Sequence, residues 1–288
     1  MCSEYNNIKQ RLGGCHRSPY DPNEKKLSNY LLNKAVIDLP NKFDLLDKYP
    51  KEIRDQGLQG SCGGFAGAIM RQMHTDNINE QLSPAFLYWQ ARKIHNNELE
   101  DTGVYLQDII KVLQNFGVPK EIYMPYDEKI WDKQPSKEAY ENAKKYKINT
   151  YFNVDNGISG IKSYLYTKKK PVLFGMEIYE DFMEDIKKTG IAPIPKQDEK
   201  PIDGHSALII GYKNNTLKDN IIASFNHRRS RYGYFIVAHS YGEDYSKKTG
   251  SLFYLPYEYI LFQKAYDFYV ITTKSNPDYE EEIISKNK

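Results

Sequence analysis

Cysteine is scarce in this sequence. Cys2, Cys15 and Cys62 are the only three among 288 residues, an odd and sparse set that excludes a disulfide framework, and no Cys-x-x-Cys pair or histidine-rich run offers zinc-ligand spacing. Long apolar runs are also missing: residues 172–176 and 207–211 make a handful each, where a membrane-spanning helix needs about 20. Nor is there an excess of one charge. Lys plus Arg number 40 against 38 Asp plus Glu, a formal net charge of +2, far from the surplus that nonspecific phosphate binding requires, so no nucleic-acid partner is expected. The opening Met-Cys-Ser-Glu-Tyr-Asn-Asn is polar and no apolar segment follows it, so no secretory signal and no membrane contact are expected and the chain reads as intracellular.

What is present suffices for one large core or two modest lobes, with 40% hydrophobic residues. Residues 1–36 mix charge, Pro and Gly with little periodicity and read as an extended arm ending in a short helical piece over 25–34. Phe65, Ala66, Ile69, Met70 and Met73 recur at steps of three and four, which predicts a helix over 62–74 with one buried face. Gly63, Gly64 and Gly67 lower its propensity and imply that other backbone, or a ligand, comes close to its first turn. Ser83-Pro84 announces a second helix over 85–94, and 107–116 reads as a third, ended by Gly117. Beyond residue 145 the texture changes to short apolar or alternating runs: 148–154, 172–178, 206–212, 232–238, 251–254 and 268–273 are expected strands, with a helix over 158–166. A helical half followed by a β half predicts an α+β fold. Residues 274–288, with their acidic stretch, read as a charged, solvated tail.

Cys62 stands at the first turn of a buried helix, where unpaired N–H groups and the helix dipole favour thiolate over thiol. That position suits a nucleophile, and equally a small core residue. A thiolate nucleophile needs an imidazole brought near by the fold, and His205 lies 143 residues on, entering an apolar strand after Gly204. A histidine at a strand mouth is also a common structural residue. His16, His74 and His95 have no second ligand at metal spacing, so neither metal nor cofactor is expected.

Several blocks of sequence occur together in order: Asp55-Gln56-Gly57-Leu58-Gln59-Gly60-Ser61-Cys62, then Gly204-His205-Ser206-Ala207 with Gly211-Tyr212, then His239-Ser240-Tyr241-Gly242 before Phe253-Tyr254-Leu255-Pro256. With Leu39-Pro40, Leu82-Ser83-Pro84, Asp101-Thr102-Gly103 and Pro125-Tyr126-Asp127, this order resembles the papain-like cysteine peptidases over residues 37–273. The resemblance implies a papain-like two-lobed fold: a helical lobe over 37–147 carrying Cys62, an antiparallel β lobe over 148–273 carrying His205, and an active site in the cleft between them. It implies a cysteine endopeptidase that hydrolyses polypeptide substrate through a Cys thioester. Cys62 would be the nucleophile, His205 its proton partner, and Gln56 an oxyanion donor beside the Cys62 N–H, each such donor typically being worth about 3 kcal/mol. Gly60, Ser61, Asp101, Gly103 and Gly204 fall where the family binds substrate backbone.

Two positions depart from the family pattern. The Asn that orients the catalytic histidine falls on His239, and the Trp that shields that bond falls on Tyr241. Neutral imidazole keeps one acceptor nitrogen, so His239 is expected to orient His205, although a protonated His239 has no acceptor left. The competing expectation is a catalytically impaired peptide-binding or scaffolding protein that retains the cleft. Gly63 replaces the aromatic residue usual after the Cys, and residues 213–231 are expected to form an extended basic hairpin. Papain-like enzymes are commonly made as zymogens with a leading segment in the cleft. Here residues 1–36, and 13–20 in particular, are expected to cover Cys62 by intramolecular contact.

Overall fold

The computed structural model describes residues 13–30, 38–224, 228–243, 245–246 and 248–273. The expected C-terminal tail and His227 lie outside the described residues, as does the second half of the expected helix over 25–34; its first half is a single 3-10 turn, Leu27–Asn29.

Among the described residues the first strands are β1 (Cys15–His16), of two residues, and β2 (Lys42–Asp44). The helical part follows: α1 (Cys62–Gln72), α2 (Pro84–Lys93), β3 (Val104–Tyr105), α3 (Leu106–Asn115) and α4 (Lys137–Ala143). Next come β4 (Thr150–Asn153), α5 (Gly157–Lys168), β5 (Val172–Ile178), α6 (Phe182–Thr189), β6 (Asp203–Asn214) and α7 (Leu217–Ser224). The last elements are β7 (Gly233–Ala238), β8 (Leu252–Pro256), α8 (Glu258–Leu261) and β9 (Ala265–Thr272).

One antiparallel sheet of seven strands dominates the second half, in the order β4-β9-β5-β6-β7-β8. The seventh, β2, comes from the amino-terminal side. β5 pairs with β6 only as far as Ile209, and β2 takes over that edge at Gly211 to Lys213. This short pairing ties residues 42–44 to the sheet rather than to the helices that follow them. Residues 213–231 also differ from expectation. The β6–β7 connection carries α7 instead of prolonging the hairpin, and Arg228 is not a free cation at a tip: its Nη1 lies 2.6 Å from Asp181.

Helix α1 is the hinge of the architecture. It lies between α2 and α3 on one side and β5 and β6 on the other, so almost its whole circumference is buried, Arg71 and Gln72 included. The glycines of its first turns permit this. A Cβ on Gly64 would come within 2.6 Å of the Pro84 carbonyl, and one on Gly67 within 2.5 Å of Ile109. Close backbone approach therefore explains the low-propensity residues. At Gly63 the space of an aromatic side chain is filled by Val104, 2.6 Å from an ideal Cβ. Helix α2 starts as Ser83-Pro84 predicts: Pro occupies its first position and the Ser83 hydroxyl accepts the Phe86 N–H at 3.1 Å.

Candidate active site

Cys62 opens α1, within electrostatic reach of the backbone N–H groups of Ser206, Gly63 and Cys62 itself. These donors favour the thiolate, yet complete burial outweighs them and pushes the thiol up to about 12. Helix α1 packs against β6, where Ser206 follows His205. The register of β6 against β5 sets His205 opposite Met176 and Ser206 opposite Gly175.

The imidazole of His205 is buried, and desolvation holds it down to about 3. The Tyr241 hydroxyl lies 2.9 Å from its Nδ1, and the two rings stack with centroids 4.7 Å apart and planes 18° from parallel. Its Nε2 has no hydrogen-bond partner among the described residues.

His239 occupies a different place from the one expected. Its Nδ1 accepts the N–H of Tyr241 at 3.1 Å, so neutral His239 carries its proton on Nε2, which is buried and has no hydrogen-bond partner among the described residues. Tyr241, Tyr245 and Phe253 enclose the ring. Burial and the nearby His205 keep it down to about 3. The side chain that hydrogen-bonds His205 is thus Tyr241, where His239 was expected.

Gln56 is fully buried and held on every side. Its N–H donates to the Ser240 carbonyl at 2.8 Å, its Oε1 accepts the Ser240 hydroxyl at 2.6 Å, and its carbonyl accepts the Tyr126 hydroxyl at 2.6 Å. Its Nε2 donates to Gln59 at 2.9 Å, which leaves one amide hydrogen for another acceptor.

Of the residues expected to bind substrate, Ser61 and Asp101 turn their side chains into the loop framework. Ser61 meets the Tyr126 hydroxyl at 2.8 Å, and Asp101 accepts the Gly60 N–H at 3.0 Å and the Tyr88 hydroxyl. Gly60, Gly103 and Gly204 present bare backbone, and the arm rests against all three. A Cβ on Gly14 would collide with the Gly60 carbonyl, one on Gly204 would collide with the Cys15 carbonyl, and one on Gly103 would lie 2.6 Å from Gly14.

The arm is held there by main-chain pairing. β1 runs parallel to β3, with Cys15 opposite Val104, and the Val104 N–H donates to Gly14 at 2.8 Å. Tyr266 donates its hydroxyl to the Cys15 carbonyl at 3.2 Å, and Ser18 N–H reaches Asp267 at 2.8 Å. Arg17 lies 2.8 Å from the Gln263 carbonyl, 3.5 Å from Glu177 and 4.7 Å over the Tyr266 ring. Beneath this cover Cys62 has no exposed surface and Cys15 is buried beside it, burial and the neighbouring Cys62 raising the Cys15 thiol well above its usual range. Further along, Asn153 N–H donates to the Lys25 carbonyl at 2.8 Å, Leu27 is buried, and Ser28 N–H donates to Asp155 at 3.0 Å, so residues 25–28 anchor the arm to β4 and the turn after it.

His74, His205 and His239 are all held near 3 chiefly by burial, His74 also by Lys170 and Arg71 beside it. Each would take up a proton near 6.5 once unfolded, so the stability they confer is complete above that value and is lost as pH falls toward 3. One such group contributes a slope of about 1.4 kcal/mol per pH unit. Asp203, Asp267 and Glu24, raised by burial, act in the opposite sense and offset part of it. The melting temperature is therefore expected to drop between pH 6 and 4, and His74→Gln, at the far end of α1 from Cys62, is expected to flatten that drop by about one proton. Thermal melts at four pH values measure it; a wild-type profile as flat as the variant's would exclude this contribution.

Among the described residues no helix is long and apolar enough to cross a membrane, and no group of three or more His, Cys, Asp or Glu stands together as a metal site.

A helical lobe set against an antiparallel sheet, with a cysteine at a helix start beneath a histidine-bearing strand, defines a papain-like two-lobed fold. Comparison with known proteins agrees. The profile described as Papain family cysteine protease matches residues 39–253. An uncharacterized peptidase C1-like protein of Acanthamoeba polyphaga mimivirus is 30% identical over 257 residues, which cover 84% of this chain and 76% of the viral protein. Among solved structures, xylellain, a cysteine protease from Xylella fastidiosa, superposes with a TM-score of 0.77 at 28% identity, over 92% of this chain and 97% of that one. Procathepsin B S9 from Trypanosoma congolense shares the fold at 15% identity, with a TM-score of 0.65 over 93% of this chain and 88% of that one. The chain belongs to the papain family of cysteine proteases, hydrolases that cleave peptide bonds.

Proposed function

We propose that Cys62 and His205 are the catalytic pair of an endopeptidase, and that residues 13–20 hold it closed. The observation that carries this reading is the packing of α1, which begins at Cys62, against β6, which bears His205, with main chain of the arm lying along the glycines on both sides.

With the groove open, the Cys62 proton passes to His205 and the sulfur attacks the carbonyl carbon of the scissile bond. The oxyanion that forms faces the Cys62 N–H and the remaining Gln56 amide hydrogen. His205 returns its proton to the departing amine nitrogen as the carbon–nitrogen bond breaks, leaving a thioester. Water then attacks the thioester, His205 takes one of its protons and gives it back to the sulfur, and the carboxylic acid leaves.

Under the arm this chemistry is silent. A thiol near 12 and an imidazole near 3 are both neutral at neutral pH, so the ionised pair does not form while water is excluded. Support comes from the parallel pairing of the arm with β3 and its contacts at Gly60, Gly103 and Gly204, the glycines we read as backing substrate backbone. The arm thereby acts as an intramolecular competitor.

A thiol-directed peptidyl epoxide tests the assignment. A chain beginning at residue 21 is expected to gain one adduct, mapped by mass spectrometry to Cys62, and the same chain with Cys62→Ala to gain none. A folded, shortened chain that takes up no reagent would favour the noncatalytic peptide-binding alternative.

A further inference from the structure

Where the arm crosses the sheet, three adjacent strands present one row of residues: Tyr266 on β9, Gly175 on β5 and Ser206 on β6, paired in register. The middle position has no side chain, and the arm supplies one, because the Cys15 sulfur lies 3.0 Å from where a Gly175 Cβ would stand. We propose that Tyr266 determines substrate preference here: with the arm displaced, it limits the substrate residue that takes the place of Cys15 to Ala, Ser or Cys and excludes Leu and Phe. This deepens the peptidase reading and rests on it for substrates, though not for the fit of Cys15.

The subsite is shallow because Tyr266 lies over positions that lack side chains. A Cβ on Gly175 would collide with the Tyr266 ring, and one on Gly204, two residues before Ser206 on β6, would lie 2.7 Å from its hydroxyl. The ring is buried, and its hydroxyl is held by donating to the Cys15 carbonyl at 3.2 Å. Ser206, also buried, bounds the row on the β6 side. Registered partners on neighbouring strands share one face of the sheet, so the phenol ring and the serine are the walls between which the Cys15 side chain sits.

The arm's main chain shows which substrate residue is concerned. Cys15 lies opposite Val104, and burial alternates along β1, with Cys15 turned inward and His16 outward. An extended segment lying along β3 in either direction turns alternate side chains to the same face. One substrate residue therefore presents its side chain where Cys15 does. Ala, Ser and Cys reach no further than the sulfur of Cys15. Leu and Phe carry carbon beyond that length and must push the buried Tyr266 ring aside, which a close-packed interior resists. One surplus methylene in such a pocket typically changes kcat/KM by about 10- to 200-fold.

The fit is tested in the full chain, without substrate, by hydrogen exchange of the Val104 N–H, which the arm protects by bonding it to the Gly14 carbonyl. Cys15→Ala and Cys15→Ser are expected to keep that protection within about threefold, and Cys15→Leu to speed exchange by about 30-fold or more. Adding Tyr266→Ala to Cys15→Leu is expected to recover about tenfold of the loss. Unchanged protection in Cys15→Leu overturns the proposal whether or not the double variant folds, as does an unprotected Val104 N–H in the wild type. A folded double variant with no recovery removes Tyr266 from the role. Substrate preference is read on the full chain with a fluorogenic peptide library, since the open fraction scales every rate alike and cancels from ratios. One position is expected to favour Ala, Ser and Cys over Leu and Phe by at least about 30-fold, and Tyr266→Ala to bring that ratio to about one or below. A wild type that cleaves peptides with no position favouring small residues overturns the proposal and leaves the peptidase reading intact. Cleavage of no peptide would sink the peptidase reading, and Val104 exchange would still judge the subsite.

Discussion

Replacing Cys62 with Ala in a chain beginning at residue 21 is expected to cut kcat/KM for a fluorogenic peptide by at least about 10,000-fold, the scale on which removal of a nucleophile acts. What survives would come from binding and from the donors around the oxyanion, Cys62 N–H and Gln56, which the substitution leaves in place. Cys15→Ala in the same background is not possible, since Cys15 is gone with the arm, so the comparison belongs in the full chain: there Cys15→Ala is expected to leave the protein folded, with slow epoxide labelling through the small open fraction still mapping to Cys62. A Cys62→Ala protein retaining more than about a hundredth of wild-type turnover would mean that the sulfur is not the attacking atom.

The second large effect comes from the arm. A chain beginning at residue 21 is expected to turn over peptide about 100-fold faster than the full chain, the increase that follows if the docked arm leaves the groove open about 1% of the time. The cut is placed with the anchor in mind. Residues 25–28 bond to Asn153 and Asp155, and Leu27 is buried, so removing them too would confound release of the groove with damage to β4. Equal rates for the two chains, with both proteins folded, would refute arm inhibition.

Much of the fold could be read before coordinates. The helix beginning at Cys62 was legible because its apolar positions recur at helical steps, and the long strands because Val, Ile, Phe and Tyr alternate over six or more residues. Four elements were not legible for physical reasons. β1 and β2 have two and three residues, too few for any periodicity, and each exists only because a distant strand offers it hydrogen bonds. α6 and α7 lie in polar connections, and α7 replaced an expected hairpin because nothing in residues 213–231 distinguishes a helical connection from a turn. The site divides in the same way. Cys62, His205 and Gln56 announce themselves through their immediate neighbours in sequence, whereas Tyr241, Tyr126, Tyr88 and Ser240 matter through the atoms they reach across the fold. Position in the sequence pattern pointed to His239, but side-chain direction decides which group reaches His205, and that direction depends on the turn after β7.

The arm's two attachments have unequal fates after cleavage. Between buried Cys15 and buried Leu27 the chain emerges at Tyr20, which is 86% exposed. If residues 13–20 close the groove as proposed, plug and socket share one molecule while the backbone is continuous, and docking is insensitive to how much protein is present. A single scission near Tyr20 would leave the anchor in place and set the plug adrift as a separate peptide, whose return would then depend on its concentration in bulk. One broken bond would thus convert a reversible latch into a one-way release, made more complete by every dilution.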